Sequence, residues 1–409
     1  MEDETLHNTR NITENIVWIG ASDRRIERFE NLFPLSHGIA YNSYLILDEK
    51  TALLDTVDGS ITDQFLENVN HTLAGRTLDY LIVNHMEPDH CANIEALVRR
   101  YPQVKLVGNK KTFQFFNQYY TLDITENQYL VSENDEISLG KHVLQFHLAP
   151  MVHWPEVMFT YEKSEHILFS ADAFGTFGAL SGNLFADEID FDRYFLDEAR
   201  RYYANIVGKY GAQVQAVFSK LPLSEINMIC PLHGPVWREQ VSSIIEKYQL
   251  WSTYTPEKKG VVLAYASMYG NTENAVQKLA SLLAVRGVKD LRMYDVSKTD
   301  LSYIVSDVWK YSHLVTASPT YNLHLYAKMA NVLEDLAALN MRNRKVAILG
   351  NYTWASAAKK GMETIFSSMQ NMEVLGSYDI KSSLKDEDLA YLETLSDTIA
   401  ASVLEEPQQ

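Results

Sequence analysis

Between residues 261 and 403, short apolar runs alternate with helical segments, and few folds accept that pattern. VVLAYAS (261–267), DLRMYDV (290–296), HLVTASP (313–319), KVAILGN (345–351) and VLGSYDI (374–380) read as strands. The first of these is near-continuously apolar, as a strand covered on both faces must be. TENAVQKLASLLAVRG (272–287) has helical spacing, and further helical segments fall at 325–339, 355–370 and 386–403. Five strand–helix units of this kind predict a doubly wound parallel sheet.

The preceding part has another texture. YNSYLILDEKTALLDTV (41–57) predicts a hairpin turning at Asp48–Lys50. LDYLIVN (78–84), VKLVGN (104–109), HVLQFHL (142–148) and HILFSAD (166–172) predict short strands, and DQFLENVNHTL (63–73) and ANIEALVRRY (92–101) predict helices. YTPEKKG (254–260) combines Pro, charge and Gly and reads as a linker. Two domains are therefore expected, at 1–254 and 255–409, which suits a chain of 409 residues. No internal repeat or low-complexity segment is visible.

Composition narrows the function classes. An apolar share of 46% with 22% charged residues belongs to a globular chain rather than a disordered one. The longest apolar stretches are strand-sized, so no membrane span is expected. MEDETLHNTR at the start has no basic or apolar leader segment, and a cytoplasmic location is expected by default. A formal charge of −17 disfavours binding to a phosphate backbone, so no nucleic-acid partner is expected. Two cysteines, Cys91 and Cys230, imply a reducing compartment and leave too few thiolates for an iron–sulfur module within this sequence.

NHMEPDH (84–90) follows one of the predicted strands and holds His85, Glu87, Asp89 and His90. On an extended segment, residues 85, 87 and 89 would point to one side. Taken alone, the cluster is equally consistent with a solvated polar loop. His153 in APMVHWPEVM, Asp172 in FSADAFG and His233 in ICPLHGPVW also follow apolar runs and stand beside Pro or Gly. A lone histidine in such a place is usually a satisfied core residue; three such sites plus the cluster favour a metal centre. Four imidazoles and three carboxylates without a thiolate suit iron better than zinc, and manganese also fits.

SMYGNTEN (267–274) joins the first predicted strand of the second part to its first helix. Ser267 and Thr272 offer hydroxyls, Gly270 allows close approach, and the amides of Met268, Tyr269, Gly270, Asn271 and Thr272 lead to the helix N-terminus, where phosphate is favoured. An ordinary helix cap would look similar. Ser318, Pro319, Thr320, Tyr321 and Asn322 lie in one later strand-end loop, and Asn351, Tyr352 and Trp354 in another. Tyr321, Tyr352 and Trp354 suit a flat ring. No G-x-G-x-x-G is present, which disfavours a nicotinamide dinucleotide.

The order H-x-E-x-D-H, His153, Asp172, His233, with spacings of 68, 19 and 61 residues from His85 onward, resembles the flavodiiron proteins over nearly the whole chain. The resemblance implies an N-terminal metallo-β-lactamase-like αββα sandwich and a C-terminal flavodoxin-like five-stranded sheet. It implies one iron on His85, Glu87 and His153, another on Asp89, His90 and His233, and Asp172 as bridge; in some relatives the residue matching His90 lies off the metal. It implies FMN, with SMYGNT holding the phosphate and the loops 318–322 and 350–354 holding the isoalloxazine. No catalytic residue beyond the metal ligands is implied. Hydrolytic relatives with this fold carry a histidine where Glu87 stands. The implied activity is reduction of O2 to water, of NO to N2O, or of both, with electrons from an external donor such as rubredoxin. A head-to-tail homodimer is implied too. The alternative is a dinuclear zinc hydrolase fused to a flavodoxin-like carrier.

Some residues draw plainer expectations. Cys91 is expected to pack. Trp154, Phe174, Phe177 and Trp237 are expected in the core, some of them lining an apolar pocket. Some relatives carry a histidine near the oxygen site in the region of His37. His71, His142, His147, His166 and His313 are expected to be structural or on the surface.

Overall fold

The computed structural model describes residues 7–405, so the reading of the first six residues lies outside it. The chain forms two compact units: one runs through residue 203 and includes 210–249, the other comprises 204–209 and the chain from 250.

The first unit holds two sheets. One has seven strands in the order Arg10–Asn11, Ile16–Trp18, Tyr44–Leu47, Thr51–Leu54, Tyr80–Ile82, Lys105–Gly108 and Gln128–Leu130. The other has five: Glu136–Ser138, Val143–Leu148, Met158–Glu162, Ile167–Phe169 and Met228–Cys230. Their inner faces share one core, in which Ile46, Leu54 and Ile82 of the first meet Leu144, Phe146, Phe169 and Cys230 of the second. The helices Thr62–Leu73, Ile94–Arg100, Lys110–Tyr119 and Gly211–Phe218 belong to the same unit, each with buried apolar residues. The expected hairpin is present, with Leu47 paired to Thr51 across the turn.

Register brings the functional loops to one edge. Leu148 pairs with Met158, Thr160 with Phe169, and Phe169 with Cys230. The segments carrying His153, Asp172 and His233 therefore leave neighbouring strands at the same end. The loop after Tyr80–Ile82 joins them from the other sheet, because the Met158 amide donates to the Asn84 carbonyl at 3.0 Å.

The second unit is a parallel sheet in the order Leu291–Asp295, Lys258–Tyr265, Tyr311–Tyr321, Arg344–Tyr352, Met372–Lys381. In sequence order this is 2-1-3-4-5, the flavodoxin arrangement. All five strands predicted from the sequence are there. The first starts at Lys258, so the C-terminal half of YTPEKKG is strand rather than linker. The helix Leu301–Lys310 was not read from the sequence; Asp300 caps it by accepting from the Ser302 amide at 3.0 Å. No helix among the described residues is long and apolar enough to cross a membrane.

Candidate metal centre and flavin cradle

The NHMEPDH segment does not run extended to its end. Pro88 opens a helical turn, Pro88–Cys91, with Glu87 as its N-cap. Proline is at home there because the first helical N–H needs no partner. The turn breaks the two-residue alternation, so Asp89 departs from His85 and Glu87 and groups with His90. Among the described residues two ligand groups result: His85, Glu87, His153 and Asp172, and Asp89, His90 and His233.

In the first group Glu87 Oε2 lies 3.1 Å from both His85 Nε2 and His153 Nε2. Asp172 Oδ2 lies 3.0 Å from His153 Nε2 and 3.6 Å from His85 Nε2. In the second, Asp89 Oδ2 is 3.3 Å from His90 Nε2 and 3.4 Å from His233 Nε2, and the two ring nitrogens are 3.1 Å apart. Asp172 Oδ1 is 3.0 Å from His90 Nε2. Asp172 thus turns one oxygen to each group.

None of the seven side chains belongs to a residue more than 8% exposed. Both Asp89 oxygens and Asp172 Oδ1 are buried without a hydrogen bond. Buried carboxylates left so are costly, and cations remove the cost. The donor set and these orphaned oxygens therefore fit a pair of metal ions. Electrostatics agrees. Burial alone would raise the Glu87 and Asp172 carboxyls. The histidines beside them reverse this and hold both below the usual carboxylate range. Burial would lower the His153 imidazole, yet Asp172 and Glu87 lift it to about 9.

Groups outside the seven hold them in place. Asp55, buried and itself raised to about 6 chiefly by that burial, accepts from the amides of Asn84 at 2.8 Å and His85 at 3.1 Å. Asn42 of YNSYLI donates to the carbonyls of Pro231 at 2.9 Å and Gly234 at 2.8 Å, and Tyr44 donates to Pro231 at 2.6 Å. That motif is thereby the clasp of the His233 loop. His233 Nδ1 donates to the Ala40 carbonyl at 2.8 Å, leaving Nε2 free for a metal. Gly234 has a φ of 75°, and a Cβ there would meet Thr176 Cγ2 at 2.1 Å, so only glycine fits.

Three neighbours escaped the sequence reading. Glu156 is fully buried and accepts from His85 Nδ1 at 2.7 Å. Its only sequence signal is nearness to His153 in HWPE. Tyr202 packs its ring 5.5 Å from that of His233, and its buried hydroxyl has no hydrogen bond. Glu30 sits at a hairpin tip with a φ of 50°. The residue as a whole is exposed, but its carboxyl end is shielded against Glu87, and burial followed by the Glu87 charge raises it to about 8.

Cys91 is buried and donates to the Met86 carbonyl at 3.3 Å, with its thiol pushed up to about 12 by burial. Trp154 and Phe177 are the two flanking aromatics near the centre. Trp154 lies 5.4 Å from the His85 ring, and Phe177 lies 5.0 Å from Tyr202. Phe174 packs on Tyr248 and Phe218, and Trp237 on Phe191. His37 is exposed on the wall of a cavity of about 610 Å³ that Phe177 also lines.

The second unit presents an open cradle. Ser267 Oγ accepts from the amides of Gly270 at 3.1 Å and Glu273 at 3.4 Å, ordering the turn into the helix Asn271–Val285. Gly270 has a φ of 89° and nothing within 4 Å of a Cβ position, leaving space above the turn. Ser318 to Tyr321 and Asn351 to Tyr352, expected in loops, are the last residues of neighbouring parallel strands, and Tyr321 pairs onward with His324 in a short hairpin; only Asn322 and Trp354 lie beyond the strand ends, on the same side as the Ser267 turn. Tyr269 and Trp354 are 91% and 87% exposed. Rings so bare beside a strand-order reversal fit the rim of a flavin site. The Thr320 hydroxyl is committed elsewhere: it accepts from the amides of Ala357 and Ala358 at 3.0 and 3.1 Å. Asn351 donates to the Ser382 carbonyl at 2.8 Å.

A metal-binding sandwich and a flavodoxin sheet in one chain define a class of two-cofactor electron-transfer proteins. The comparisons agree on both halves. Residues 39–234 match the ODP family beta lactamase model and 263–391 the flavodoxin model. The chain is 32% identical to a nitric oxide reductase of Moorella thermoacetica, covering 86% of this chain and 88% of that one. It is 32% identical to an anaerobic nitric oxide reductase flavorubredoxin of Vibrio vulnificus, covering 86% of this chain and 71% of that one. Among solved structures, the rubredoxin oxygen:oxidoreductase of Desulfovibrio gigas superposes with a TM-score of 0.88 at 26% identity, covering 97% of this chain and 98% of that one. The flavodiiron protein of Giardia intestinalis shares the fold, with a TM-score of 0.85 at 23% identity over 97% of each chain.

The chain belongs to the flavodiiron proteins. Its flavodoxin domain implies FMN, and its family a pair of non-haem irons.

Proposed function

We propose that this chain is a flavodiiron reductase that reduces O2 to water, NO to N2O, or both. The observation that carries the reading is Asp172, a buried carboxylate with one oxygen toward each of two three-residue donor groups. His85, Glu87 and His153 would hold one iron and Asp89, His90 and His233 the other, with Asp172 between them. When bound, the iron pair would supply one-electron redox chemistry, and FMN would supply reducing equivalents in pairs. The balances are O2 + 4 e⁻ + 4 H⁺ → 2 H2O and 2 NO + 2 e⁻ + 2 H⁺ → N2O + H2O.

The chain's own groups keep such a site dry and oriented. Phe29, Phe177, Tyr41 and Tyr202 cover the side of His233, with the Phe29 ring 5.3 Å and the Tyr41 ring 5.5 Å away. An apolar cover admits small uncharged gases and excludes bulk water. Tyr202 brings a hydroxyl proton into that pocket with no acceptor of its own. In the second unit Ser267 and the turn through Thr272 would hold the FMN phosphate, and Tyr321, Tyr352 and Trp354 its ring.

An external donor of the rubredoxin type, a cytoplasmic location and a head-to-tail homodimer complete the reading. The flavorubredoxin and rubredoxin oxygen:oxidoreductase names of relatives support the donor class. To test it, protein loaded with iron and FMN is reduced anaerobically and given O2 and NO in separate runs. Consumption of at least one gas is expected, with two irons and one FMN per chain. Activity that needs zinc and no reductant would replace it with the hydrolase reading.

A further inference from the structure

The two expected iron positions draw the same donors from the chain: two imidazoles and one carboxylate each, with Asp172 shared. What lies behind the imidazoles differs. His85 Nδ1 donates to Glu156 Oε1 at 2.7 Å, and the Met86 amide donates to the same oxygen at 2.9 Å. Glu156 is fully buried, and its Oε2 makes no hydrogen bond. On the other side, His233 Nδ1 donates to a neutral carbonyl, Ala40 O, at 2.8 Å, and His90 Nδ1 makes no hydrogen bond. An imidazole whose N–H is held by a carboxylate is the more basic ligand and favours the more highly charged metal.

We infer that Glu156 is a positioning residue that makes the two irons unequal. It stabilises Fe(III) at His85, Glu87 and His153, so that the iron at Asp89, His90 and His233 is reduced first. Electrons then enter the pair in a fixed order, set by one buried side chain that touches neither metal nor substrate. The inference rests on the diiron reading above.

The test is an anaerobic potentiometric titration of the iron- and FMN-loaded protein with dithionite and mediator dyes, followed by EPR and 57Fe Mössbauer spectra. Each step passes one electron from dithionite to one Fe(III), giving Fe(II). The unmodified protein is expected to be reduced in two separate one-electron steps. Glu156→Gln has the same shape and can still accept from His85 and Met86, but lacks the charge. It is expected to leave the first step in place and to ease the second by about tenfold in the Fe(III)/Fe(II) ratio, about 59 mV upward. Glu156→Asp keeps the charge and is expected to restore part of the separation. A single two-electron step in the unmodified protein would overturn the inference, as would a Gln variant whose two steps match those of the unmodified protein. Should the Gln variant lose its iron, the unmodified protein and the Asp variant decide. Metal analysis beforehand separates the two readings, because a chain that takes up no iron pair overturns the diiron assignment itself.

Discussion

The metal centre and the flavin cradle solve opposite problems. The first encloses seven polar side chains, each in a residue at most 8% exposed, and fixes them with further buried groups. The second leaves Tyr269 and Trp354 almost bare above a turn with open space over it. Charged ligands in a dry interior must be pre-placed, since an unpaired buried charge is costly. A flat, exchangeable cofactor needs only a phosphate notch and a surface to lie on. Rigidity therefore belongs to one unit and accessibility to the other.

Substitutions can break that contrast or sharpen it. The largest effect is expected for Asp172→Asn, which removes charge from the one side chain facing both donor groups. Loss of the iron pair and a fall in gas turnover beyond about 100-fold are expected, more than is usual for residues outside the coordination shell. Inductively coupled plasma analysis and an oxygen electrode check this, while the FMN content should stay unchanged. Next comes a matched pair of glycines, both with positive φ. Gly234→Ala drives a methyl into Thr176 Cγ2 and is expected to cost about 3 kcal/mol, combining overpacking with left-handed backbone strain. Gly270→Ala meets nothing within 4 Å and is expected to cost only about 1 kcal/mol of backbone strain. Thermal unfolding of both variants gives the comparison directly. The smallest effect on stability is expected at Trp354→Ala. Stability should hardly change, because the ring is bare, while FMN binding weakens by about 1 kcal/mol, or roughly fivefold. Flavin fluorescence titration of the flavin-stripped protein reads that shift.

Much of this was legible in the sequence because the relevant signals are local. The strands of the second unit announce themselves as apolar runs, and the metal donors stand just after such runs. The grouping of Asp89 with His90 and His233 is not legible from alternation, because Pro88 starts a helical turn where alternation requires extended chain. Glu156 and Tyr202 were missed for another reason. Their roles depend on contacts 71 residues away to His85 and across the pocket to the His233 ring, and no short pattern encodes such distances. Thr320 shows the converse: a hydroxyl at the right strand end can be spent on capping the helix Ala358–Ser368. The helix Leu301–Lys310 went unread although Asp300 and Ser302 mark its start.

The donors come from loops of both sheets in the first unit, four from behind Tyr80–Ile82 and three from the five-stranded partner. Ions seated among them would act as a rivet through the mouth of the sandwich. A chelator would then do more than silence the chemistry: it would loosen the hold of one sheet's loops on the other's at that mouth.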